Sequence, residues 1–174
     1  LYSAGGSQSV VTNADDGIWN LNLANNRYVA YPDNSSRLDF DNAGTMNKQN
    51  NLHTYSIGWS QGTSNFSNTG TVNVPSGVLQ FDGTGTAAQD GEFVIASGGE
   101  VKINRGTHTF GEDAVVSDTG ILHIAGVGAV SMPNALSLES LKISAGTLNA
   151  GGAITAGTFE QTGGTYVSSS DLIV

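Results

Sequence analysis

A short phrase of alternating apolar and polar residues, closed by glycine, recurs through most of this chain and restricts its fold more than any other feature. The stretch SNTGTVNVPSGVLQFDGTGT, Ser67–Thr86, holds two copies: Val72 alternates with Val74 in the first, and Leu79 with Phe81 in the second. Alternation with period two places one face of a strand in a core, and small or polar residues turn the chain between strands. The pattern predicts many short strands.

Further segments of this kind extend the prediction along the chain. The predicted strands are Thr45–Asn47, Thr71–Val74, Val78–Phe81, Glu92–Ile95, Glu100–Ile103, Thr107–Phe110, Ile121–Ile124, Leu141–Ile143, Thr147–Asn149, Thr158–Glu160, Thr165–Val167 and Leu172–Val174. A short helix over Asn134–Ile143 stays open, although the i, i+2 spacing of its apolar residues favours strands. The predicted core residues are Val72, Val74, Leu79, Phe81, Val94, Ile103, Leu122, Ile124, Leu141, Ile143 and Phe159.

Two all-β architectures fit these strands. In a parallel β-helix each coil stacks on the one before it, and small residues form the corners. Gly44, Gly70 and Gly91 are 26 and 21 residues apart, which agrees with the roughly 20–45 residues of solenoid repeats. We therefore predict a parallel β-helix, and an antiparallel β-sandwich stays the alternative.

The composition indicates order and narrows the partners. Gly supplies 24 of the 174 residues and only 12% are charged, but Val, Ile and Thr are regularly placed, unlike in a disordered chain. The net charge is −9 and the few basic residues are scattered, which excludes nucleic acid and disfavours anionic membranes. No apolar stretch approaches the ~20 residues of a membrane span. The absence of Cys excludes disulfides, thiol catalysis and Cys-ligated zinc.

Several phrases resemble those of secreted bacterial repeat proteins. FDNAGTMNKQNN (Phe40–Asn51) and FSNTGTVNVPSGVLQFDGTGT (Phe66–Thr86) share the pattern F-x-N-x-G-T-x-N, and GTHTF, SAGTLNAGG and QTGGTYV follow downstream. Together they resemble the filamentous-haemagglutinin and autotransporter-passenger type of β-solenoid. The resemblance implies a right-handed parallel β-helix over residues 38–174, and it carries over no catalytic residues because the family has no shared catalytic motif.

The first 37 residues lack the glycine-punctuated pattern, so we predict that residues 1–37 form an N-terminal cap or irregular first coil and residues 38–174 the solenoid coils. Ser7–Ala14 is a candidate donor strand for head-to-tail self-assembly, because natural proteins must cover or use the edges of a sheet. The candidate assembly residues are Val10, Val11, Leu172, Ile173 and Val174. The chain begins at Leu1, not Met, which favours a mature form or a fragment.

Catalytic signals are weak. His53, His108 and His123 are far apart and are predicted to be solvated strand positions, and no G-x-S-x-G motif is present. Acidic residues that follow Arg105 could serve a polysaccharide-degrading site, but acids are common in turns. The acids are Glu112, Asp113 and Asp118. Asp113 and Asp118 are weak calcium candidates, and no other cofactor is predicted.

Large aromatic residues in the first third of the chain are the remaining site candidates. Trp19, Tyr28, Tyr31 and Trp59 could form a platform for a glycan, although packing in the cap is favoured. We predict a non-enzymatic extracellular or cell-surface structural module of a fibre, adhesin or matrix. Its partners would be copies of itself, neighbouring solenoid repeats or glycans. The alternative is a β-helix that binds or cleaves carbohydrate.

Overall fold

The computed structural model describes residues 2–3, 5–33 and 35–174, without the side chains of Tyr2, Ser3, Ala30 and Tyr31. All regular structure in this part of the chain is β-strand, and it contains no helix long and apolar enough to cross a membrane. The strands are β1 (Tyr2–Ser3), β2 (Gln8–Asn13), β3 (Ile18–Leu21), β4 (Arg27–Pro32), β5 (Arg37–Asn42), β6 (Thr45–Lys48), β7 (Thr54–Ile57), β8 (Thr63–Asn68), β9 (Thr71–Val74), β10 (Gly77–Phe81), β11 (Thr86–Gln89), β12 (Glu92–Ile95), β13 (Gly99–Ile103), β14 (Thr107–Phe110), β15 (Val115–Ser117), β16 (Ile121–Ile124), β17 (Ala129–Met132), β18 (Leu136–Ile143), β19 (Thr147–Ala150), β20 (Ile154–Gln161), β21 (Thr165–Ser168) and β22 (Leu172–Ile173).

The strands form three parallel sheets that the chain visits in turn. The first sheet has the order β1-β4-β7-β10-β13-β16-β18-β20-β22, the second β2-β5-β8-β11-β14-β17-β19-β21, and the third β15-β12-β9-β6-β3. Strands that are neighbours in a sheet come from successive coils, and every described pair is parallel, for example Leu79 with Val101. The parallel β-solenoid is therefore confirmed. The antiparallel sandwich is excluded, and so is the helix over Asn134–Ile143, since β18 lies there.

The coils shorten along the chain. Gln8 pairs with Arg37, 29 positions later, whereas Ile154 pairs with Leu172, only 18 positions later. The third sheet ends at β15, which contacts β18, and β18 and β20 are single eight-residue strands. The solenoid therefore narrows from three sheets to two towards its carboxyl end.

Glycine permits close stacking at the corner between the second and third sheets. Gly44, Gly70 and Gly91, whose spacing predicted the repeat, lie in successive coils. A Cβ atom on Gly70 would collide with the carbonyl oxygen of Gly44, and one on Gly91 would collide with that of Gly70. Because any side chain would push adjacent coils apart, these positions require glycine.

Most of the predicted core lies inside the solenoid. The confirmed residues, all buried, are Val72, Val74, Leu79, Phe81, Ile103, Leu122, Ile124, Leu141 and Ile143. The prediction that Val94 is a core residue was wrong. Val94 is half-buried and pairs with Asn73 on the outer face, while Phe93 and Ile95 point inward. Phe159 was predicted to be buried but is half-buried, because it lies on the part of β20 beyond the residues that pair with β22.

Aromatic rings stack through the core along the solenoid axis. Trp19 stacks on Phe40 with ring centroids 4.3 Å apart, and Phe40 lies 5.5 Å from Phe66. The stack continues from Phe66 to Phe81 at 4.7 Å and from Phe81 to the imidazole of His108 at 5.5 Å. Such pairs add stabilisation beyond the burial of their area, so successive coils are held by side chains as well as by the backbone ladder.

The amino-terminal residues belong to the same three sheets. Strand β2 pairs with β5, β3 with β6, and β4 with β7, all in parallel. The ladder between β4 and β7 is irregular between Tyr28 and Ala30. The division into a cap of residues 1–37 and coils of residues 38–174 stays a prediction.

Candidate functional sites

The predicted aromatic residues do not form one platform. Trp19 is half-buried on β3 and begins the core stack, so it serves packing. The ring of Tyr28, on β4, meets that of Trp59 edge to face with centroids 4.5 Å apart. The side chain of Tyr31 lies outside the described residues. Of the four candidates, Tyr28 and Trp59 are thus the pair that the structure brings together.

A polar network lies at the corner where β10 and β13 lead into the second sheet. Asn104 Nδ2 donates to Asp82 Oδ1 at 2.7 Å, and Arg105 Nε is 3.2 Å from the same oxygen. Burial and the negative charge of Asp82 raise the pKa of Tyr28, and Arg105 partly offsets this. The charges of Asp82 and Arg105 therefore act on the aromatic pair Tyr28–Trp59. The pair and the network together combine flat apolar surface with hydrogen-bonding groups.

The acidic candidates are exposed turn residues. Glu112, Asp113 and Asp118 are exposed, and Asp118 adopts the left-handed region at φ 71°. Its Oδ1 accepts a hydrogen bond of 2.9 Å from the backbone N–H of Thr119. Within the described residues, no three His, Asp or Glu side chains gather where they could hold a metal ion. The calcium candidates Asp113 and Asp118 stay a prediction without such a cluster.

The prediction of solvated histidines was wrong for His108 and His123, which are both buried. The side chain of His108 points inward from β14. Its Nδ1 accepts from Gln89 Nε2 at 3.1 Å, and its Nε2–H donates to the carbonyl oxygen of Arg105 at 3.2 Å. Burial lowers the pKa of His108 to about 4, so the imidazole is neutral at physiological pH and serves the core.

A different arrangement surrounds His123, on the outer face of the first sheet. His123 Nδ1 is 2.7 Å from Glu100 Oε1, and His123 Nε2 is 2.7 Å from Ser144 Oγ. Glu100 lies on β13, His123 on β16, and Ser144 directly follows β18, so three successive coils supply one residue each. We call these residues the outer triad. The outer triad could not be predicted from the sequence, because its members are 23 and 21 residues apart along the chain and form no local motif.

The charges around the outer triad favour the ionised form of Glu100. Burial acts to raise the pKa of Glu100, but the hydrogen bond and charge of His123, with the charges of Lys102 and Lys142, outweigh it and lower the pKa. An ionised carboxylate can only accept hydrogen bonds. In its neutral form, the imidazole therefore carries its proton on Nδ1, towards Glu100, and its Nε2 lone pair faces the hydroxyl of Ser144.

The two ends of the solenoid expose part of the core. Val11, Trp19 and Leu23 are half-buried at the amino-terminal end, as are Phe159, Tyr166 and Leu172 at the carboxyl-terminal end. The other assembly candidates are solvent-exposed: Val10 at 56%, Ile173 at 52% and Val174 at 74%. Strands β2 and β21 form the two free edges of the second sheet.

One lysine is buried at the corner after β6. Lys48 Nζ donates to the carbonyl oxygens of Ser76 at 2.8 Å and Asn51 at 2.9 Å, and lies 4.6 Å from the ring centroid of Tyr55. Burial lowers the pKa of Lys48 to about 8. The ammonium group ties the loop between β6 and β7 to the next coil, so its role is structural.

Comparison with known proteins gives no relative. No protein-family model matches the chain, no curated protein matches it, and no solved structure matches it. The strand pairing shows the parallel β-solenoid that the resemblance implied, whereas its right-handed sense and membership of the secreted bacterial family stay proposals.

Proposed function

We propose that this chain is a structural module of an extracellular fibre, adhesin or surface matrix. The observation that supports this role is the second sheet, which runs the length of the solenoid and has a free edge strand at each end, β2 and β21. Ladder hydrogen bonds in every coil, with side-chain stacks through the core, make such a rod stiff. The low charge and the abundance of Gly, Ser, Thr and Asn agree with a surface location.

The module assembles by adding the β21 edge of one copy to the β2 edge of the next copy. This contact keeps the parallel direction of the second sheet and covers half-buried apolar residues at both ends, among them Val11 and Tyr166. Because the two surfaces differ, the contact is heterologous, and such contacts extend into filaments unless they close a ring. The first coil is longer than the last coil, so the two ends cannot match around their whole outline. The contact is therefore made by the edge strands of the second sheet.

Light scattering and electron microscopy of the purified chain test this assembly. A charge on an edge strand blocks strand addition, so Val167→Lys on the exposed face of β21 should abolish filaments. The control Ala88→Lys places the same charge on an exposed position of β11, in the middle of the same sheet, and should leave filaments intact. Deletion of residues 1–14 removes β2 and should also prevent growth. Intact chain that stays monomeric at high concentration would refute the assembly.

A second candidate function is glycan binding at the pair Tyr28–Trp59. The edge-to-face pair beside Asp82, Asn104 and Arg105 offers ring surface for a sugar face and polar groups for its hydroxyls. Trp59→Ala should abolish retention on a glycan array, whereas Leu52→Ala, a change of another exposed apolar residue, should not. Retention that is equal in both variants would rule out this site.

A further inference from the structure

The outer triad has the connectivity of an activated serine. Ser144 Oγ lies 2.7 Å from His123 Nε2, and His123 Nδ1 lies 2.7 Å from Glu100 Oε1. Both distances are within hydrogen-bonding range for a nucleophile, its base and the group that orients the base. Ser144 is half-buried and lies in a turn at the surface, so its hydroxyl can be reached from solvent.

The turn that follows Ser144 supplies backbone donors. Among the described residues, the N–H groups of Ala145 and Gly146 find no acceptor. Gly146 adopts a left-handed conformation at φ 72°, and turns of this kind can direct consecutive N–H groups at an anion. In acyl transfer, the N–H group directly after the nucleophile is a common donor to the oxyanion. Ala145 holds that position here.

From these observations we propose that the outer triad hydrolyses small carboxylic esters, with Ser144 as nucleophile, His123 as general base and Glu100 as the residue that positions His123. The site lies on the outer face of the first sheet, whereas the proposed assembly uses the edge strands of the second sheet. The ester hydrolysis therefore does not depend on the proposed function. It also revises the sequence-based expectation that the chain has no catalytic residues. Geometry identifies such a triad regardless of fold or residue order.

The reaction needs only the ester and water. Ser144 Oγ attacks the carbonyl carbon while its proton moves to His123 Nε2, and the N–H group of Ala145 stabilises the oxyanion. The carbon–oxygen bond to the alcohol then breaks, and Nε2–H returns the proton to the leaving oxygen. A water molecule attacks the acyl-serine by the same route, which releases the carboxylic acid and restores Ser144. Glu100 stays ionised and accepts the Nδ1–H throughout.

The substrate is a small ester because the site lies on the outer surface of a sheet. Lys142 and Glu160 form an ion pair of 3.0 Å on the same face, and Lys102 pairs with His123 in the strand register. These charged and solvated surroundings offer no apolar pocket for a long acyl chain. Acetyl and butyryl esters are therefore the suitable probes.

Hydrolysis of p-nitrophenyl acetate by the intact chain tests the proposal. Product should exceed one equivalent per chain, and a fluorophosphonate should form an adduct on Ser144, located by mass spectrometry. Ser144→Ala should lower turnover by about 100-fold or more and abolish the adduct. Ser140→Ala is the matched control, since Ser140 lies on the same face and accepts from Thr158 Oγ1 at 2.9 Å; it should keep full turnover.

Glu100→Gln tests the positioning role. Gln keeps a similar size but no longer fixes the proton on Nδ1, so kcat should fall by about 100-fold or more with KM unchanged. The thermal midpoint of each variant shows whether the fold is retained. Three outcomes overturn the proposal: no turnover above buffer in the intact chain, equal turnover in Ser144→Ala, or a fluorophosphonate adduct that forms elsewhere and not on Ser144.

Discussion

The side-chain amide of Asn42 donates a hydrogen bond of 2.7 Å to Asn68 Oδ1, and both side chains are almost completely buried. Asn13 Nδ2 donates to Asn42 Oδ1 at 2.7 Å, so three coils are joined by one amide ladder. Asn42→Ala removes the middle member, which leaves Asn68 Oδ1 without its donor and also removes the hydrogen bonds to the carbonyl oxygens of Gly44 and Thr71. Each unsatisfied buried group costs about 1–3 kcal/mol, so urea denaturation should show a loss of about 2–4 kcal/mol in the free energy of unfolding.

A second ladder provides the control for this prediction. Asn47 Nδ2 donates to Asn20 Oδ1 at 2.9 Å, and Asn47 Oδ1 accepts from Asn73 Nδ2 at 2.7 Å, but this ladder lies on the outer face of the third sheet. Water can replace these bonds, so Asn47→Ala should cost less than about 1 kcal/mol. Equal losses in Asn42→Ala and Asn47→Ala would show that burial does not govern the strength of the ladders.

Phe81 is a central ring of the core stack, between Phe66 and His108. Truncation of a buried Phe loses its burial and leaves a cavity, so Phe81→Ala should lower the free energy of unfolding by about 3–5 kcal/mol. Val78 lies on the same strand but points outward and is half-buried. Val78→Ala should therefore cost much less in the same urea titration. A loss below about 1 kcal/mol for Phe81→Ala would contradict the register of β10.

The ammonium group of the buried Lys48 donates to the carbonyl oxygens of Gln49, Asn51 and Ser76 and to Asn51 Oδ1. Lys48→Met keeps most of the aliphatic stem but removes the donor, so thermal and urea unfolding should show a loss of about 2 kcal/mol. Lys102→Met, at a half-buried position on the outer face of β13, should change stability by less than about 0.5 kcal/mol. Unchanged stability in Lys48→Met would show that the ammonium contributes nothing net.

Features that depend on a single strand, such as which of its faces points inward, could be predicted from the sequence. The alternation of Leu79 with Phe81 and of Leu122 with Ile124 identified their inward face, because the period of a strand is local. The prediction for Val94 failed because Phe93 to Ile95 are three consecutive apolar residues, so the sequence does not show which of them point inward. Pairing with the neighbouring coil decides it, and that pairing places Val94 opposite Asn73.

Features that arise between coils could not be predicted in this way. The hydrogen bonds of His123 reach residues 23 and 21 positions away, and only the coil length brings those residues into contact. Coil length itself varies along this chain, so a fixed repeat could not have aligned Glu100 with Ser144. Strands β3 and β4 were not predicted for a related reason: their coil is long and polar, and few glycines mark its corners.

Acid should unfold the protein partly through His108. Burial holds its pKa at about 4 in the fold against 6.5 in the unfolded chain, so the unfolded state takes up a proton first as the pH falls. The stabilisation is complete above about pH 6.5 and is lost as the pH falls towards 4. Between pH 7 and pH 5 the free energy of unfolding should fall by about 2 kcal/mol.

His108→Gln separates this contribution from that of the carboxylates. The variant lacks the titrating imidazole, so its free energy of unfolding should change less between pH 7 and pH 5 than that of the intact chain. The window lies above the ordinary pKa of a carboxyl group, which keeps acids such as Glu100 out of the comparison. His53→Gln, at a half-exposed position, should retain the pH dependence of the intact chain. Parallel acid curves for His108→Gln and the intact chain would mean that His108 does not resist protonation in the fold.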